Sequence, residues 1–309
     1  MIVVAAFSPA LDTAYVVDDL VLGRPHRPSL VRRVAGGKAL NMARAASALG
    51  AEVRAVPVLG GRVGDLVAEL LRADGVLAVP VPDDAETRVC VSVASTATGD
   101  LTEVYEHAVP VSEAVVDAVL RELESALVPG AWLSASGSMP PGGLGDLLTR
   151  LVDLARASSA RLALDTHGEP LRRLLDAGTG VDLLKVNREE ACAALDEPAD
   201  AELATLVDGL RARTHGTVVV TDGAAGCLGA DDHGRWRVAL PTTAGTHPVG
   251  SGDSFLGALV AALDEGRPLE QALAAATGAG AANAEVPGAA VLDPARARQV
   301  ADLVRVEPA

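Results

Sequence analysis

Aromatic residues make up only 2% of the 309, and of the 26 basic side chains only Lys38 and Lys185 are lysines. A core with so few rings has to be filled by Ala, Val and Leu, which suits buried parallel strands flanked by Ala-rich helices. Cysteine is sparse too: Cys90, Cys192 and Cys227 lie far apart with no CxxC spacing. That argues against a zinc knuckle or a disulfide framework and fits a reducing compartment, the cytoplasm. Positive charge is in deficit. A net charge of −15 is the opposite of what neutralises a phosphate backbone, so no nucleic-acid partner is expected. No stretch reaches the roughly 18 uninterrupted apolar residues of a membrane helix. The start, MIVVAAFSPALD, lacks a basic leader and is cut by Pro9, so it reads as a first strand rather than a signal peptide, and no membrane partner is expected.

The common phosphate-binding and nucleophile motifs are missing as well. GxxxxGK[ST] does not occur, no GxGxxG follows a strand and there is no GxSxG, which leaves a P-loop, an ordinary dinucleotide fold and a nucleophile elbow unsupported. The six histidines show no HExxH or similar spacing and suit loops better than a metal site.

What is present is a rhythm of short β-rich runs and Ala/Leu-rich helical stretches, the pattern of βαβ units around a mostly parallel sheet. The pattern predicts buried strands at 2–7, 53–59, 131–136, 161–165, 182–186 and 217–222. Helices are predicted at 39–49, 63–74, 112–127, 143–157, 188–196 and 200–213. Residues 14–34 and 76–107 break the rhythm with period-two alternation and no crossover helix, which predicts a small separate sheet. After residue 253 the chain reads as helical to its end. One domain, 1–309, with a small appended sheet is the simplest organisation.

Three segments carry candidate chemistry. In VAGGKALNMARAASALG (34–50), Gly36 and Gly37 form either a turn or a bare backbone that a ligand approaches, with Lys38 and Asn41 as donors. In DLLKVNREEA (182–191), Asn187 and Glu190 have the spacing of a capping box. Glu190 equally suits a carboxylate holding hydrated Mg²⁺ at the C-terminal edge of a parallel strand. In THPVGSGDSFLG (246–257), Gly250, Ser251 and Gly252 run into a helix whose first N–H groups and dipole suit an anion. Asp253 there is either a favourable N-terminal charge or a base placed beside a bound phosphoryl group.

In this order and spacing the segments resemble the signatures of the ribokinase-like (PfkB) carbohydrate kinases, over essentially the whole chain. GGKALNMARA is similar to the N-terminal signature, LKVNREE to the Asn-x-x-Glu magnesium motif, and PVGSGDSFLGAL to the C-terminal signature. The resemblance implies an α/β fold: a three-layer α/β/α domain with a mostly parallel central sheet and a small β-sheet lid. It further implies ATP and Mg²⁺ as cofactors, Asp253 as general base, and Gly250, Ser251 and Gly252 as the anion hole. SPALD, TRV at 87–89 and GSMPPG at 137–142 resemble the branch acting on phosphorylated hexoses: 1-phosphofructokinase, tagatose-6-phosphate kinase and the minor 6-phosphofructokinase.

By that resemblance Asp12, Gly36, Gly37 and Asn41 bind sugar hydroxyls, and Lys38, Arg88 and Ser138 lie near the sugar's phosphate. Arg27 is a further basic contributor, in some relatives across a dimer interface through the lid. Lys185, Asn187, Thr221, Gly223 and Gly226 meet the nucleotide phosphates, Gly280 and Asn283 flank adenine, and Glu190 serves the metal. Ala39, Val186, Pro248 and Ser8 depart from the usual pattern without removing a catalytic group, and they bear on which sugar is bound. The alternatives are a kinase of an unphosphorylated sugar or nucleoside, or a non-catalytic sugar-phosphate sensor.

Overall fold

In the computed structural model, residues 1–138, 146–240 and 245–309 are described. The chain opens with β1 (Ile2–Ala6), β2 (Ala10–Val17), β3 (Leu30–Gly36), α1 (Lys38–Ala48), β4 (Val53–Leu59) and α2 (Gly61–Ala73). Two short strands, β5 (Leu77–Ala78) and β6 (Val81–Pro82), precede β7 (Arg88–Ser95), β8 (Leu101–Tyr105) and α3 (Glu113–Ala126). Alternation follows through β9 (Trp132–Ser136), α4 (Leu147–Ala157), β10 (Arg161–Asp165), α5 (Gly168–Asp176), β11 (Leu183–Asn187), α6 (Arg188–Leu195), α7 (Leu203–Thr214) and β12 (Thr217–Thr221). The last elements are β13 (Cys227–Ala230), β14 (Arg235–Ala239), α8 (Ser251–Asp264), α9 (Leu269–Ala284), α10 (Pro294–Ala301) and β15 (Arg305–Pro308).

The large sheet runs β15-β14-β13-β12-β11-β10-β9-β1-β4-β5, with β6 also paired to β4. Every pairing from β12 to β5 is parallel, and the three from β12 to β15 are antiparallel. Central strands are apolar on both faces because both are covered. Val116, Leu123, Leu151, Leu171, Leu206 and their neighbours on α3 to α7 fill one side, while Leu40, Met42, Leu71, Leu256, Leu259 and Leu273 on α1, α2, α8 and α9 fill the other. The result is the expected three layers.

A second, four-stranded sheet, β3-β2-β7-β8, stands apart. One face carries exposed Val31 and Val104, and Tyr105 is exposed on the other, the face of Asp12. It begins at Ala10, earlier than the alternation predicted, and residues 77–82 belong instead to the edge of the large sheet through β4. That run is too short to reveal by period which sheet it joins.

The six predicted buried strands form within one residue of their expected ends. Two corrections stand beside them. The C-terminal segment is not all helix: Arg305–Pro308 adds β15 to β14, a four-residue, half-charged strand with no apolar run to betray it. Residues Gly168–Asp176 form α5, hidden in sequence by Gly168 and Pro170, both of which fall in the first turn, where proline costs no intrahelical bond.

Candidate active site

The carboxyl ends of the parallel strands and the start of α8 meet in one crevice, where open α/β sheets place ligands. Gly250 caps α8 with φ 80°, and a Cβ there would meet the Ala290 nitrogen at 2.2 Å, so only glycine fits. The Ser251 amide is taken by the Pro248 carbonyl and that of Ser254 by Gly250. Among the described residues the amides of Gly250, Gly252 and Asp253 find no backbone acceptor, which leaves three of the four from 250 to 253 free at the positive end of the helix.

Asp253 follows at once, with 7% of its surface exposed. The Asn41 side-chain amide donates to its Oδ2 at 2.9 Å. Burial pushes the carboxyl up to about 6, helped by the negative Asp165, while Asn41, Lys185 and Lys38 pull the other way. A carboxylate in that range sits near working pH, as a general base should.

Beside Asn41, β2 supplies Asp12, and Gly36 at the end of β3 lets its carboxylate approach: a Cβ on Gly36 would lie 2.0 Å from the Asp12 carboxyl carbon. Gly37 caps α1 with φ 88° and would strike the Ser8 carbonyl if it carried a Cβ. Burial raises the Asp12 carboxyl against the attraction of Arg44 and hydrogen bonds from the Gly37 amide and Asn41. Asp12, Gly36, Gly37 and Asn41 are thus brought together as expected.

The chain's two lysines converge on a residue that the motifs do not single out. Asp165, fully buried at the end of β10, accepts from Lys185 Nζ at 2.7 Å and from Lys38 Nζ at 3.4 Å. Burial alone would raise that carboxyl, but the two ammonium groups hold it below its ordinary value. Burial likewise opposes the charge on Lys38, and Asp165, Glu190 and Asp253 overcome it, so Lys38 stays above the ordinary lysine value. A carboxylate ending a parallel strand was the available signal.

The structure shows the capping-box reading of this segment and places the Glu190 carboxylate in the crevice. With Asn187 it closes a capping box, the Glu190 amide donating to Asn187 Oδ1 at 2.8 Å and the Asn187 amide to Glu190 Oε2 at 2.9 Å. Its other oxygen, Oε1, faces Lys38 Nζ at 3.4 Å and His167 Nδ1 at 3.7 Å. Among the described residues no group of three His, Cys, Asp or Glu side chains surrounds a metal position. A carboxylate oxygen not used by the capping box, facing Lys38 at the crevice, is of the kind that suits Mg²⁺, which is held through few protein ligands, waters and substrate phosphates.

A second cleft opens on the far side of α8, lined by Thr221, Gly223, Gly226, Ser251, Gly252 and Gly280 among others. Gly223 and Gly226 have φ of 52° and 99°, and a Cβ on Gly226 would collide with the Val238 carbonyl at 1.9 Å. Asn283, expected beside the base, lies elsewhere: fully buried on α9, it donates to the Val249 carbonyl at 2.8 Å and to Ser251 Oγ at 3.0 Å, bracing the α8 turn.

Arg88, at the start of β7, donates to the carbonyls of Ser8, Pro9 and Glu106 and forms no ion pair among the described residues. Its charge acts on the Asp12 carboxyl, which burial raises and which Arg88 helps to hold down. Ser138 is exposed just beyond β9, next to Gly137, where a Cβ would meet the Lys38 side chain at 3.4 Å; residues 139–142 of GSMPPG lie outside the described residues. Arg27 stands exposed in the connection between β2 and β3 and is in no hydrogen bond with the site residues among those described. Sequence reasoning also missed Arg44, whose only signal was an arginine three positions after Asn41 on a helix otherwise lined with alanine.

Comparison with known proteins accords with this geometry. The pfkB family carbohydrate kinase model matches residues 4–296. Phosphofructokinase-2 from Escherichia coli in complex with substrates and products superposes with a TM-score of 0.90 at 26% identity, over 97% of this chain and 98% of that one. The same E. coli enzyme in complex with potassium gives 0.89 at 25% identity over the same shares. A possible 1-phosphofructokinase from Thermotoga maritima matches in fold, with a TM-score of 0.85 at 21% identity over 100% and 99% of the two chains. With its buried carboxylate set between the Asp12 cluster and a glycine-lined cleft, the chain belongs to the pfkB family of carbohydrate kinases and is an ATP-dependent sugar kinase.

Proposed function

We propose that the protein transfers the γ-phosphoryl group of ATP to a hydroxyl of a hexose phosphate, of the fructose 1-phosphate, fructose 6-phosphate or tagatose 6-phosphate class, with Asp253 as general base. The observation that carries this reading is the place of Asp253: one hydrogen bond from Asn41, which borders the sugar-side Asp12, and one residue from Gly252, which lines the nucleotide cleft. The sugar hydroxyl gives its proton to Asp253 as its oxygen bonds the phosphorus, and the bond to ADP breaks. The free amides of Gly252 and Asp253 and the ammonium groups of Lys185 and Lys38 stabilise charge on the moving phosphoryl group. Positioning and electrostatics supply nearly all of this catalysis. Mg²⁺, where bound, neutralises charge on the nucleotide phosphates, and Glu190 is the residue that would hold it, through Oε1 and water.

A phosphorylated substrate is supported by Arg88, a cation within an acidic protein whose guanidinium hydrogen-bonds only to carbonyls and beside which Asp12 is the facing carboxylate. Lys38 contributes less to that end, being paired with two carboxylates. The small sheet would act as the lid that excludes water, and the exposed Val31 and Val104 on one of its faces support a homodimer formed through it; light scattering on the purified protein tests that. No helix among the described residues is long and apolar enough to cross a membrane, and three free buried cysteines fit the cytoplasm.

The test is an ADP-release screen over the three sugar phosphates, free hexoses and nucleosides. Turnover of a sugar phosphate well above its free sugar is expected. A free hexose or a nucleoside as the better substrate overturns the branch, and saturable binding with no ADP release overturns catalysis.

A further inference from the structure

Arg44 lies in the heart of α1 with 5% of its surface exposed, and every nitrogen of its guanidinium is engaged. Nε donates to the Ala290 carbonyl at 3.2 Å, Nη1 to the Ala35 carbonyl, and Nη2 to the Ala289 carbonyl and to Asn41 Oδ1 at 2.7 Å. Asp74, after the last turn of α2, pairs with Nη1 at 3.6 Å. One side chain therefore ties the end of the strand carrying Gly36 and the loop against which Gly250 packs to the helix that carries Asn41.

The consequence is chemical as well as mechanical. A side-chain amide can face a neighbour with either its oxygen or its nitrogen, and the hydrogen-bond partners decide which. Arginine has five donors and no acceptor. The atom of Asn41 that meets Arg44 must then be Oδ1, which turns the NH₂ group toward Asp253, where it donates at 2.9 Å. We propose that Arg44 is a positioning residue for phosphoryl transfer: by holding the Asn41 carbonyl it fixes the amide so that an N–H, and never a lone pair, faces the carboxylate of Asp253.

This rests on the reading of Asp253 as the base. A carboxylate that accepts an N–H bond is stabilised in its ionised form, whereas one facing a carbonyl oxygen must stay protonated to make the contact. Lysine is no substitute at position 44, since a point charge cannot span Asn41 and the carbonyls of Ala35, Ala289 and Ala290 together. Other charges act on the same group: Asp165 from β10, Lys185 from β11 and Lys38 from α1 face Asp253, and Asp12, Asp74 and Asp253 face Arg44.

The experiment is a double-mutant cycle of Arg44→Lys and Asn41→Ala, read as kcat against pH with saturating ATP and the best sugar phosphate. Arg44→Lys should lower kcat on the order of 10-fold through misplacement and move the acid limb of the profile upward by about half a pH unit, since a freed amide no longer favours the carboxylate. In the Asn41→Ala background the same substitution should leave the acid limb in place. A loss of kcat that is uniform across pH, or a limb that moves equally with and without Asn41, overturns the proposal and leaves Arg44 a structural residue. If Arg44→Lys does not fold, neutron diffraction on the wild-type protein decides: deuterium on the Asn41 atom facing Asp253 supports it, and deuterium on the atom facing Arg44 overturns it. Failure of the underlying reading looks different, as a wild-type profile with no acid limb or an Asp253→Asn variant with full turnover.

Discussion

Two carboxylates lie buried in the same crevice, one at the end of β10 and one at the start of α8, and their surroundings drive them apart. Asp165 is fully buried but meets two ammonium groups, at 2.7 and 3.4 Å, and stays ionised below its ordinary range. Asp253 is nearly as buried, yet no cation is hydrogen-bonded to it. One amide donates to it, Asp165 repels it, and its carboxyl rises to about 6. Pairs of acids whose environments push them in opposite directions mark the division of labour in many active sites. Here the paired one is a counter-ion that holds Lys185 and Lys38 in place, and the unpaired one is left able to take a proton and give it back.

The comparison breaks most visibly at Asp253. Asp253→Asn should lower kcat by about 10² to 10⁴, the usual worth of a general base, with far less change in KM; unaltered kcat in steady-state assays would remove its role. Asp165→Asn should cost less, on the order of 10 to 100-fold in kcat/KM for ATP, because breaking a buried pair leaves Lys185 and Lys38 without their anchor. It should also move the acid limb of the kcat profile below about 6, since the like charge that raises Asp253 is gone. An acid limb that stays put would show that the two carboxylates do not sense each other. Arg88→Ala should raise KM for the sugar phosphate about 10-fold or more, the value of a charge-assisted contact, while KM for the free sugar hardly moves. Equal changes in both would place the substrate phosphate elsewhere.

The sequence showed one of these carboxylates and hid the other for a physical reason. Asp253 announces itself because the glycines before it can have few other purposes together: Gly250 needs positive φ and Gly252 sits against Lys185 Nζ. Glu190 was legible as both cap and crevice carboxylate, and the structure satisfies both. Asp165 ends an ordinary strand, RLALD, with nothing local to distinguish it beyond being a carboxylate at a strand end. Its importance is created by two lysines 127 and 20 residues away in sequence. The scarcity of lysine was legible, and its meaning was not, because convergence belongs to topology. Asn283 shows the converse. The family resemblance placed it beside adenine with Gly280, whereas its helix face turns it inward, onto the α8 turn. Buried strands were recovered because their apolar runs are continuous, whereas β15 and α5 are short and polar and owe their form to tertiary pairing.

The smallest effect sharpens the same contrast through stability. The Asp253 carboxyl is raised in the folded state to about 6 from an ordinary value near 4. Between those values the native protein binds a proton that the unfolded chain has released. The contribution of this group is therefore fully present below about 4 and is lost as pH rises through about 6. A tenfold change in proton affinity is worth about 1.4 kcal/mol, so at neutral pH the ionised Asp253 costs the fold up to about 3 kcal/mol. Asp253→Asn removes that titration. Its melting temperature relative to the wild type should climb by a few degrees between pH 4 and pH 6 and level off above. A difference that stays constant across that range would mean that Asp253 is no more burdened by burial than Asp165, and the asymmetry on which its role as a base depends would be gone.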